Sequence, residues 1–294
     1  MKYCLIVNPA SGYRKGKHIL SSVLPLFTAH DIKIEPFITE YKNHPYIIAR
    51  DNELSGYQGV LVIGGDGTMH EVVNGMMDRK DGLKLPLGII PGGTGNSLVH
   101  DLGALDPLDA AKLIIARNIL KIDLARLTMP EGHLYSFNIV GWGLPESVNT
   151  RAEKWRNLGG QRYNLASLVE IVRSPVWKVK IILDDDILEG NYSFFLACNT
   201  RYSGNGMQVA PRALLDDGEF DVLLLKKEPR WKLFRLFTRI FSGRHIDDPI
   251  ITYRKAKSFE IHPANDGILN VDGQLTGHTP VKAHVLREAI ELFV

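Results

Sequence analysis

The chain is poor in cysteine and has no long apolar run, and both absences restrict what kind of protein it is. Its two cysteines, Cys4 and Cys198, lie on apolar, strand-like runs without disulfide or metal-ligand spacing, so we expect buried thiols in a reducing compartment. No stretch approaches the about 18 apolar residues that predict a membrane-spanning helix. The uncharged run Cys4–Val7 is too short for the core of a secretory signal. The sequence therefore predicts a cytoplasmic protein.

The chain also lacks a charge bias. Its 35 lysines and arginines stand against 33 aspartates and glutamates, a net charge of +2, so we expect no nucleic acid partner. The ten histidines do not cluster with metal-ligand spacing. The 294 residues are long for one hydrophobic core, and a hydrophobic share of 45% is ordinary for a globular protein. These numbers predict two domains.

A glycine-rich loop follows the apolar run Val60–Ile63. The loop reads Gly64-Gly65-Asp66-Gly67-Thr68, and the next apolar residues recur at the spacing of one helix face: Met69, Val72, Val73, Met76 and Met77. A strand, a glycine turn and a helix in this order place backbone N–H groups where a phosphate can approach closely. Asp66 would repel that phosphate unless it serves a metal or a proton transfer. We therefore predict a nucleotide phosphate loop, with a plain glycine turn as the alternative.

Strands and helices alternate over about the first 125 residues, which predicts βαβ units and a largely parallel sheet. Strands are expected at 3–7, 32–39, 59–63 and 87–91, and helices at 14–29 and 44–51. Ligands bind at the carboxyl ends of such strands, where three loops would gather: Asn8–Gly12, Gly64–Thr68 and Gly92–Asn96. We expect residues 1–125 to form an α/β nucleotide-binding, catalytic domain.

The pattern changes after about residue 125. Short runs rich in β-branched and aromatic residues alternate with turn signals: Asp184-Asp185-Asp186, Asp217-Gly218 and Asp266-Gly267. They predict a mainly antiparallel β domain over residues 126–294, interrupted by helical segments near 146–174 and 229–242. We allow for the last segment to return to the N-terminal domain.

The three glycine loops, with their GGDGT and PGGTGN motifs and a late Asp272-Gly273 pair, resemble the superfamily of diacylglycerol, sphingosine and ceramide kinases. Residues 153–163, EKWRNLGGQRY, are similar to a segment whose two arginines contact the ATP phosphates in sphingosine and ceramide kinases, here Arg156 and Arg162. Taken alone, the two would equally be solvated surface arginines. The resemblance implies an ATP-dependent lipid kinase with an NAD-kinase-like and diacylglycerol-kinase-like N-terminal domain and a β-rich lipid-binding domain.

The resemblance also implies which residues bind ATP. The first glycine loop would hold the nucleotide, residues 65–71 would hold its phosphates, and a threonine after the second strand and one in PGGTGN would contact it. The implied ATP-binding residues are Asn8, Pro9, Ala10, Ser11, Gly12, Thr39, Gly64, Gly65, Gly67, Thr68, Met69, His70, Glu71, Thr94, Arg156 and Arg162.

Magnesium is the second implied cofactor. Bacterial members of the superfamily hold a structural Mg²⁺ at an Asp-Gly turn, which here resembles Leu214, Asp217 and Glu219. Carboxylate and carbonyl oxygens at such a turn suit a hard cation. The alternative is a simple Asp-Gly hairpin turn without a metal.

The chain departs from the superfamily at its late motif. Bacterial diacylglycerol kinases have Asp-Gly-Glu with the glutamate as general base, whereas this chain has Asp272-Gly273-Gln274. A glutamine amide cannot take a proton, although it can orient a hydroxyl by hydrogen bonding. Because phosphoryl transfer depends mainly on positioning and charge neutralisation, a strong base is dispensable. We therefore assign the base, or metal-linked acid, to Asp66 and an orienting catalytic role to Gln274.

The lipid head group is predicted from one position. Sphingosine kinases place an aspartate five residues before the lysine of the segment, and Asn149 stands there in this chain. Without that charge, neutral diacylglycerol, monoacylglycerol or ceramide is expected to be a better substrate than a sphingoid base.

The alternatives to a lipid kinase are an NAD kinase, which shares GGDGT, and a nucleotide- or lipid-binding protein that has lost catalysis. The oligomeric state is left open, a homodimer included.

Residues 229–242, PRWKLFRLFTRIFS, have the clearest amphipathic pattern. Leucine, phenylalanine and isoleucine follow helical spacing with basic residues nearby: Leu233, Phe234, Phe237, Ile240 and Phe241, with Arg230, Lys232, Arg235 and Arg239. A basic amphipathic helix with Trp231 at its start predicts peripheral association with an anionic membrane surface. The alternative is a helix that packs on its own domain.

Overall fold

The computed structural model describes residues 1–155, 158, 161–204 and 206–294, and it divides the chain into two compact units. Unit 1 comprises Met1–Asp123 and Glu288–Val294, and unit 2 comprises Leu124–Arg287. Within these described residues, no helix combines the length and apolar character needed to cross a membrane. Each unit is built around its own buried apolar residues.

Unit 1 alternates strands and helices. Its strands are β1 Lys2–Val7, β2 Lys33–Ile38, β3 Val60–Gly64 and β4 Leu87–Pro91. Its helices are α1 Ser11–Arg14, α2 Gly16–Thr28, α3 His44–Asp51, α4 Asp66–Met77, α5 Ser97–Leu102 and α6 Pro107–Ala116. The helix predicted at 14–29 is observed as α2 and begins two residues later, because Arg14, with φ 67°, adopts left-handed backbone where α1 ends.

The strands of unit 1 pair in parallel in the order β2-β1-β3-β4. Strand β3 is buried along its whole length, as expected for a parallel strand covered on both faces. Phe27 of α2 and Ile114 of α6 pack in one core with Leu61 and Ile63 of β3. This sheet confirms the predicted parallel α/β architecture of the N-terminal region.

Unit 2 contains mainly strands. They are β6 Gly132–Ser136, β7 Ile139–Gly143, β8 Trp177–Leu183, β9 Asp186–Cys198, β10 Phe220–Lys226, β11 Ile251–Ala256, β12 Ser258–Pro263, β13 Ile268–Val271 and β14 Gln274–His278. Its helices are α7 Leu144–Lys154, α8 Arg162–Arg173 and α9 Arg230–Ile240, followed by a 3-10 helix at Arg244–Asp247. Two further strands, β5 Ile119–Met129 and β15 Val281–Phe293, contain the unit boundaries.

The strands of unit 2 pair antiparallel, in the order β14-β13-β7-β9-β8-β12-β15. The 13-residue strand β9 pairs with β8 over its first half and with β7 and β10 over its second half. The Phe259 ring lies 4.9 Å from the Phe195 ring and 5.5 Å from the Phe220 ring, centre to centre, within the core. This confirms the predicted mainly antiparallel β domain. At the end of the chain, Leu292 of β15 pairs in parallel with Leu87 of β4, within unit 1.

Candidate active site

Three glycine loops of unit 1 contact one another at the carboxyl ends of β1, β3 and β4. Gly92 N donates to Gly64 O at 2.7 Å, which joins the loops after β3 and β4. A Cβ atom on Gly12 would lie 2.2 Å from Gly92 O, and one on Gly93 would lie 2.5 Å from Gly65 Cα. Residues with a side chain would therefore force the loops apart. The structure brings together the three segments that the sequence predicted to gather.

Asn8 connects the first loop to the second. Its Nδ2 donates to Thr68 Oγ1 at 3.0 Å, and its Oδ1 accepts from Ala10 N at 3.0 Å. Thr39, buried after β2, donates its backbone N–H to Val7 O at 2.9 Å and so lies beside the end of β1. The remaining predicted residues of this loop lie between β1 and the first turn of α1: Pro9 and Ser11.

Asp66 connects the second loop to the third. It is the first residue of α4, after Gly65, and its carboxylate accepts from Ser97 N at 2.9 Å and from Ser97 Oγ at 3.0 Å. Leu98 N lies 3.4 Å from the other carboxylate oxygen. Asn96, the residue before α5, gives that helix no side-chain cap, and Asp66 supplies one from 31 residues away. The carboxylate is thereby held between two loops.

The side chains that follow in α4 are less accessible. Met69 and His70 are buried within unit 1, so contact between ATP and these side chains would require the packing to open. Glu71 accepts a hydrogen bond from the backbone of Asn43, and burial raises the pKa of its carboxyl above the usual value. Glu71 Oε2 has no hydrogen-bond partner among the described atoms. Glu71 therefore contacts the residue before α3.

The third loop exposes Thr94 and buries an unpaired acceptor. Asn96 adopts φ 51° and donates from Nδ2 to Gly93 O at 3.1 Å. Its Oδ1 is buried without a hydrogen-bond partner in the described part of the chain, 3.8 Å from where a Cβ on Gly65 would lie. Buried acceptors are normally paired, so a bound ligand that donates a hydrogen bond would satisfy this atom. Asn96 was not among the predicted site residues, although asparagine at the end of a glycine loop is a signal for left-handed backbone.

In unit 2, Asp272 and Gly273 form the turn between β13 and β14. Their φ values of 51° and 82° are those of a type I′ turn, which Asp-Gly pairs favour. The buried Asp272 carboxylate accepts from Ser136 Oγ at 2.6 Å and from the backbone N–H groups of residues 137–139 at 2.9 to 3.3 Å. Gln274, half-buried, follows directly. The turn before Gln274 is thus fixed to the segment that joins β6 to β7.

Asn149 of α7 is bonded to the same turn. It is 2% exposed, and its Nδ2 donates to Gly273 O at 2.8 Å. Its Oδ1 has no hydrogen-bond partner among the described atoms, and the same holds for Oδ1 of Asn270 on β13. Asn149 therefore supports the turn that precedes Gln274, a contact across 124 residues that no local pattern predicts.

Arg162 lies in the first turn of α8, and its side chain is mostly buried. Its guanidinium lies 3.6 Å from a Glu153 carboxylate oxygen and 3.2 Å from Tyr163 Oη. The guanidinium carbon also lies 4.8 Å from the centre of the Tyr163 ring. Arg156, the other predicted phosphate ligand, lies outside the described residues. Arg162 is therefore held by an acid and a ring from the segment that carries the resemblance.

The predicted metal ligands Asp217 and Glu219 share a lysine. Lys255 Nζ forms an ion pair with Asp217 and lies 3.7 Å from Glu219 Oε2, and its hydrogen bond to Asp217 raises the pKa of the ammonium. Leu214, whose carbonyl was the third predicted ligand, is exposed. The described residues contain no group of three histidine, cysteine, aspartate or glutamate side chains suited to a metal. Two carboxylates fit Mg²⁺, but a metal here would have to displace the ammonium.

Comparison with known proteins covers both units. Residues 2–127 match the diacylglycerol kinase catalytic domain, and residues 138–294 match the YegS C-terminal NAD kinase beta sandwich-like domain. Diacylglycerol kinase of Bacillus subtilis (strain 168) is 30% identical, over 94% of this chain and 90% of that protein. Sphingosine kinase 1 of Arabidopsis thaliana is 26% identical, over 93% of this chain and 68% of that protein. The crystal structure of a diacylglycerol kinase from Bacillus anthracis str. Sterne has a TM-score of 0.83 at 26% identity, over 99% and 96% of the two chains.

Proposed function

We propose that this chain, which belongs to the diacylglycerol kinase family, phosphorylates a hydroxyl of a neutral-headed membrane lipid with ATP bound at the glycine loops of unit 1. The chain is an ATP-dependent lipid kinase, because its two family matches cover almost all residues and relatives named diacylglycerol kinase and sphingosine kinase align over most of it. The resemblance drawn from its motifs is thereby confirmed. The lipid and the acting residues are the proposed part.

The contact among the three glycine loops is the observation that carries the ATP site. Loops at the carboxyl ends of parallel strands are where such folds bind nucleotides, and the N-terminal end of α4 favours negative charge. The exposed Thr94 and the unpaired buried Oδ1 of Asn96 add polar groups for the nucleotide. We therefore assign the triphosphate to the loops at residues 8–12, 64–68 and 92–96.

The proposed reaction is one in-line displacement. The lipid hydroxyl oxygen attacks the γ-phosphorus of ATP, the bond to the β–γ bridging oxygen breaks, and ADP leaves. Asp66 takes the hydroxyl proton, and its hydrogen bonds from Ser97 fix the carboxylate in place. Gln274 orients the hydroxyl through its amide. Since the transition state is loose, the chain contributes mainly by positioning.

We propose Mg²⁺ at two places, beside Asp66 at the glycine loops and at the turn with Asp217 and Glu219. When bound beside ATP, Mg²⁺ supplies charge neutralisation at the phosphate oxygens. The Asp66 carboxylate, held at the loops, is a suitable hard ligand for it. At the turn with Asp217 and Glu219, the carboxylates suit Mg²⁺, but Lys255 competes for them.

Magnesium binding at the Asp217 turn can be measured without following the kinase reaction. If Asp217 and Glu219 hold Mg²⁺, millimolar MgCl₂ should raise the Tm of the nucleotide-free protein, because a ligand that binds the native state stabilises it. Asp217→Asn should abolish the rise, and Lys255→Met, which removes the competing ammonium, should enlarge it. Differential scanning calorimetry measures all three proteins. A Tm of the unmodified protein that does not respond to MgCl₂ removes the metal from this turn.

Arg162→Ala is expected to lower kcat/KM for ATP by roughly 10- to 100-fold, because a charge-assisted hydrogen bond to phosphate contributes about 1.5–3 kcal/mol. Arg162→Lys should restore only part of the loss, since lysine lacks the planar fork. Arg173→Ala, at the other end of α8, is the matched control and should leave ATP kinetics unchanged. Arg156→Ala should behave like Arg162→Ala. If both alanine variants have normal ATP kinetics, the two arginines do not bind the ATP phosphates.

Asn149→Asp tests the head group. Because Asn149 Nδ2 donates to Gly273 O, aspartate loses a donor and sets a carboxylate against a carbonyl oxygen. We expect a loss of about 1–3 kcal/mol in the free energy of unfolding, lower turnover on every lipid, and a shift of the remaining turnover towards sphingosine. Asn149→Ala loses the donor without adding charge and is the control. Urea unfolding and kcat/KM on diacylglycerol and sphingosine measure both effects.

A lipid panel tests the function itself. The purified protein is given radiolabelled ATP, MgCl₂ and mixed micelles that contain diacylglycerol, monoacylglycerol, ceramide or sphingosine. We expect labelled product from a neutral lipid at a higher rate than from sphingosine. A preference for sphingosine over all three neutral lipids would refute the neutral head group. Labelled product with NAD as acceptor would favour an NAD kinase, and ATP binding without transfer would favour a non-catalytic protein.

The proposed substrate is a lipid that resides in a membrane. We propose peripheral association with the bilayer that contains the substrate, because a membrane-derived lipid is presented there. A homodimer stays a prediction, which multi-angle light scattering of the purified protein tests.

A further inference from the structure

Helix α9 of unit 2 has a packing face that already satisfies its own core. Leu233 and Leu236 are buried, and Phe237 and Ile240 pack against the same apolar cluster, which includes residues of β9 and β10. These four side chains hold the helix on the unit. The core therefore does not need the other apolar side chains of α9.

The second apolar face of α9 is aromatic and exposed. Trp231, Phe234 and Phe241 are 61%, 37% and 42% exposed, and at 3.6 residues per turn they lie within about a quarter of the helix circumference. Among the phenylalanine, tyrosine and tryptophan side chains whose exposure the structure describes, four are exposed, and these three are joined only by Tyr41. The sequence pattern grouped Phe234 and Phe241 with Leu233, whereas the structure separates them. We call these three residues the aromatic face.

Basic residues surround the aromatic face. Residues 226–248 contain seven lysines and arginines and three aspartates and glutamates, a net charge of +4, whereas the other 271 residues contain 28 basic and 30 acidic ones. The net positive charge of the chain thus comes from this segment. Its exposed basic residues precede α9, belong to it or follow it in the chain: Lys226, Lys227, Arg230, Arg239 and Arg244.

The cations nearest to the tryptophan contact its ring. Lys232 Nζ and Arg235 Cζ lie 5.9 Å and 5.6 Å from the centre of the Trp231 ring. Arg235 is oriented by an ion pair of 2.6 Å with the buried Asp248. Tryptophan with its ring exposed beside long basic side chains is typical of residues at a boundary between an apolar phase and water.

We propose that the aromatic face inserts into the interfacial layer of an anionic phospholipid bilayer, while the surrounding lysines and arginines contact its phosphates. Exposed aromatic residues with basic neighbours are the composition of helices that lie in the membrane interface. A second copy of this face would bring like charges together, so it is a poorer occupant. The inference rests on the proposed function, since it names the surface by which a lipid kinase reaches its substrate.

The test measures vesicle binding without ATP or lipid substrate. The vesicles contain phosphatidylcholine with about one-third phosphatidylglycerol, or phosphatidylcholine alone. Replacing Trp231, Phe234 and Phe241 together by alanine should lower the partition coefficient for the anionic vesicles by at least about tenfold. Ile187→Ala, at a residue of β9 that is 59% exposed, is the matched control and should bind like the unmodified protein. Binding of the unmodified protein should weaken in high salt and on phosphatidylcholine alone.

A second pair of variants keeps the test independent of folding. Arg230→Glu with Arg244→Glu changes only exposed charges and should also weaken binding to the anionic vesicles. Trp231→Phe keeps an aromatic ring and should bind nearly normally. Equal binding of the alanine variant and Ile187→Ala overturns the inference. A dimer of the unmodified protein that the alanine variant turns into a monomer would assign the face to a second copy and would overturn it as well.

Turnover separates this inference from the kinase function. The alanine variant should phosphorylate diacylglycerol in detergent micelles at the normal rate, and diacylglycerol in anionic vesicles at least about fivefold more slowly. Absence of turnover in the unmodified protein would refute the proposed function, yet the vesicle-binding comparison would still decide the aromatic face. Equal rates of the variant and the unmodified protein on vesicles would refute the aromatic face alone.

Discussion

Asp66→Asn is expected to lower kcat by at least about 100-fold without unfolding the protein. The asparagine keeps an oxygen of the same reach, so Ser97 N, 2.9 Å from the carboxylate, still has an acceptor and the cap of α5 is retained. The neutral amide cannot take the hydroxyl proton, and it lacks the charge that suits a metal. Steady-state kinetics at saturating ATP and lipid, together with thermal denaturation, measure both parts.

Ser97→Ala is the matched control for Asp66→Asn. The substitution removes the 3.0 Å hydrogen bond from Ser97 Oγ to the Asp66 carboxylate. The carboxylate itself and the hydrogen bond that it accepts from the backbone N–H of residue 97 are kept. We expect a loss of kcat that is much smaller than that of Asp66→Asn. Near-normal turnover of Asp66→Asn would limit Asp66 to capping α5.

Asp272→Ala is expected to lower the free energy of unfolding by roughly 3–5 kcal/mol. The buried carboxylate accepts from Ser136 Oγ and from three backbone N–H groups, and alanine would leave these donors unpaired. Alanine also disfavours the left-handed backbone at this position, where φ is 51°. Urea unfolding followed by circular dichroism measures the change, and kcat of the folded fraction should fall because the turn before Gln274 loosens.

Two variants separate the contributions of Asp272. Asp272→Asn keeps one acceptor oxygen and tolerates left-handed backbone, so it should cost less than Asp272→Ala. Ser136→Ala removes one donor, and about 1 kcal/mol is expected for it. If Asp272→Ala costs no more than Ser136→Ala, the backbone donors find other partners and the turn does not depend on the carboxylate.

The sequence by itself determined the fold class and the local elements of the site. Apolar periodicity predicts strand β3 and helix α4, which meet at the glycine loop. Alternating elements in the first half predict parallel pairing, and short strands with turn signals in the second half predict antiparallel pairing. Each of these depends on backbone preference or on the order of neighbouring elements.

Only the tertiary structure decided which distant groups meet. Asp66 bonds to Ser97 across 31 residues, Asp272 to Ser136 across 136, and Asn149 to Gly273 across 124. The local sequence around each of these polar residues is the same whether the side chain bonds to water, to a ligand or to another part of the chain. Their partners therefore could not be predicted, because they depend on which strands and helices become neighbours.

The aromatic face of α9 was decided in the same way. Helical spacing predicts the angles between Leu233, Phe234 and Phe241, but it does not say which of two adjoining apolar stripes meets the core. The sheet beneath α9 takes Leu233 and Leu236, and Phe234 and Phe241 remain exposed beside Trp231. The sequence determines that α9 is amphipathic. Which of its apolar residues face outward depends on the packing against β9 and β10, and that packing exists only in the folded unit.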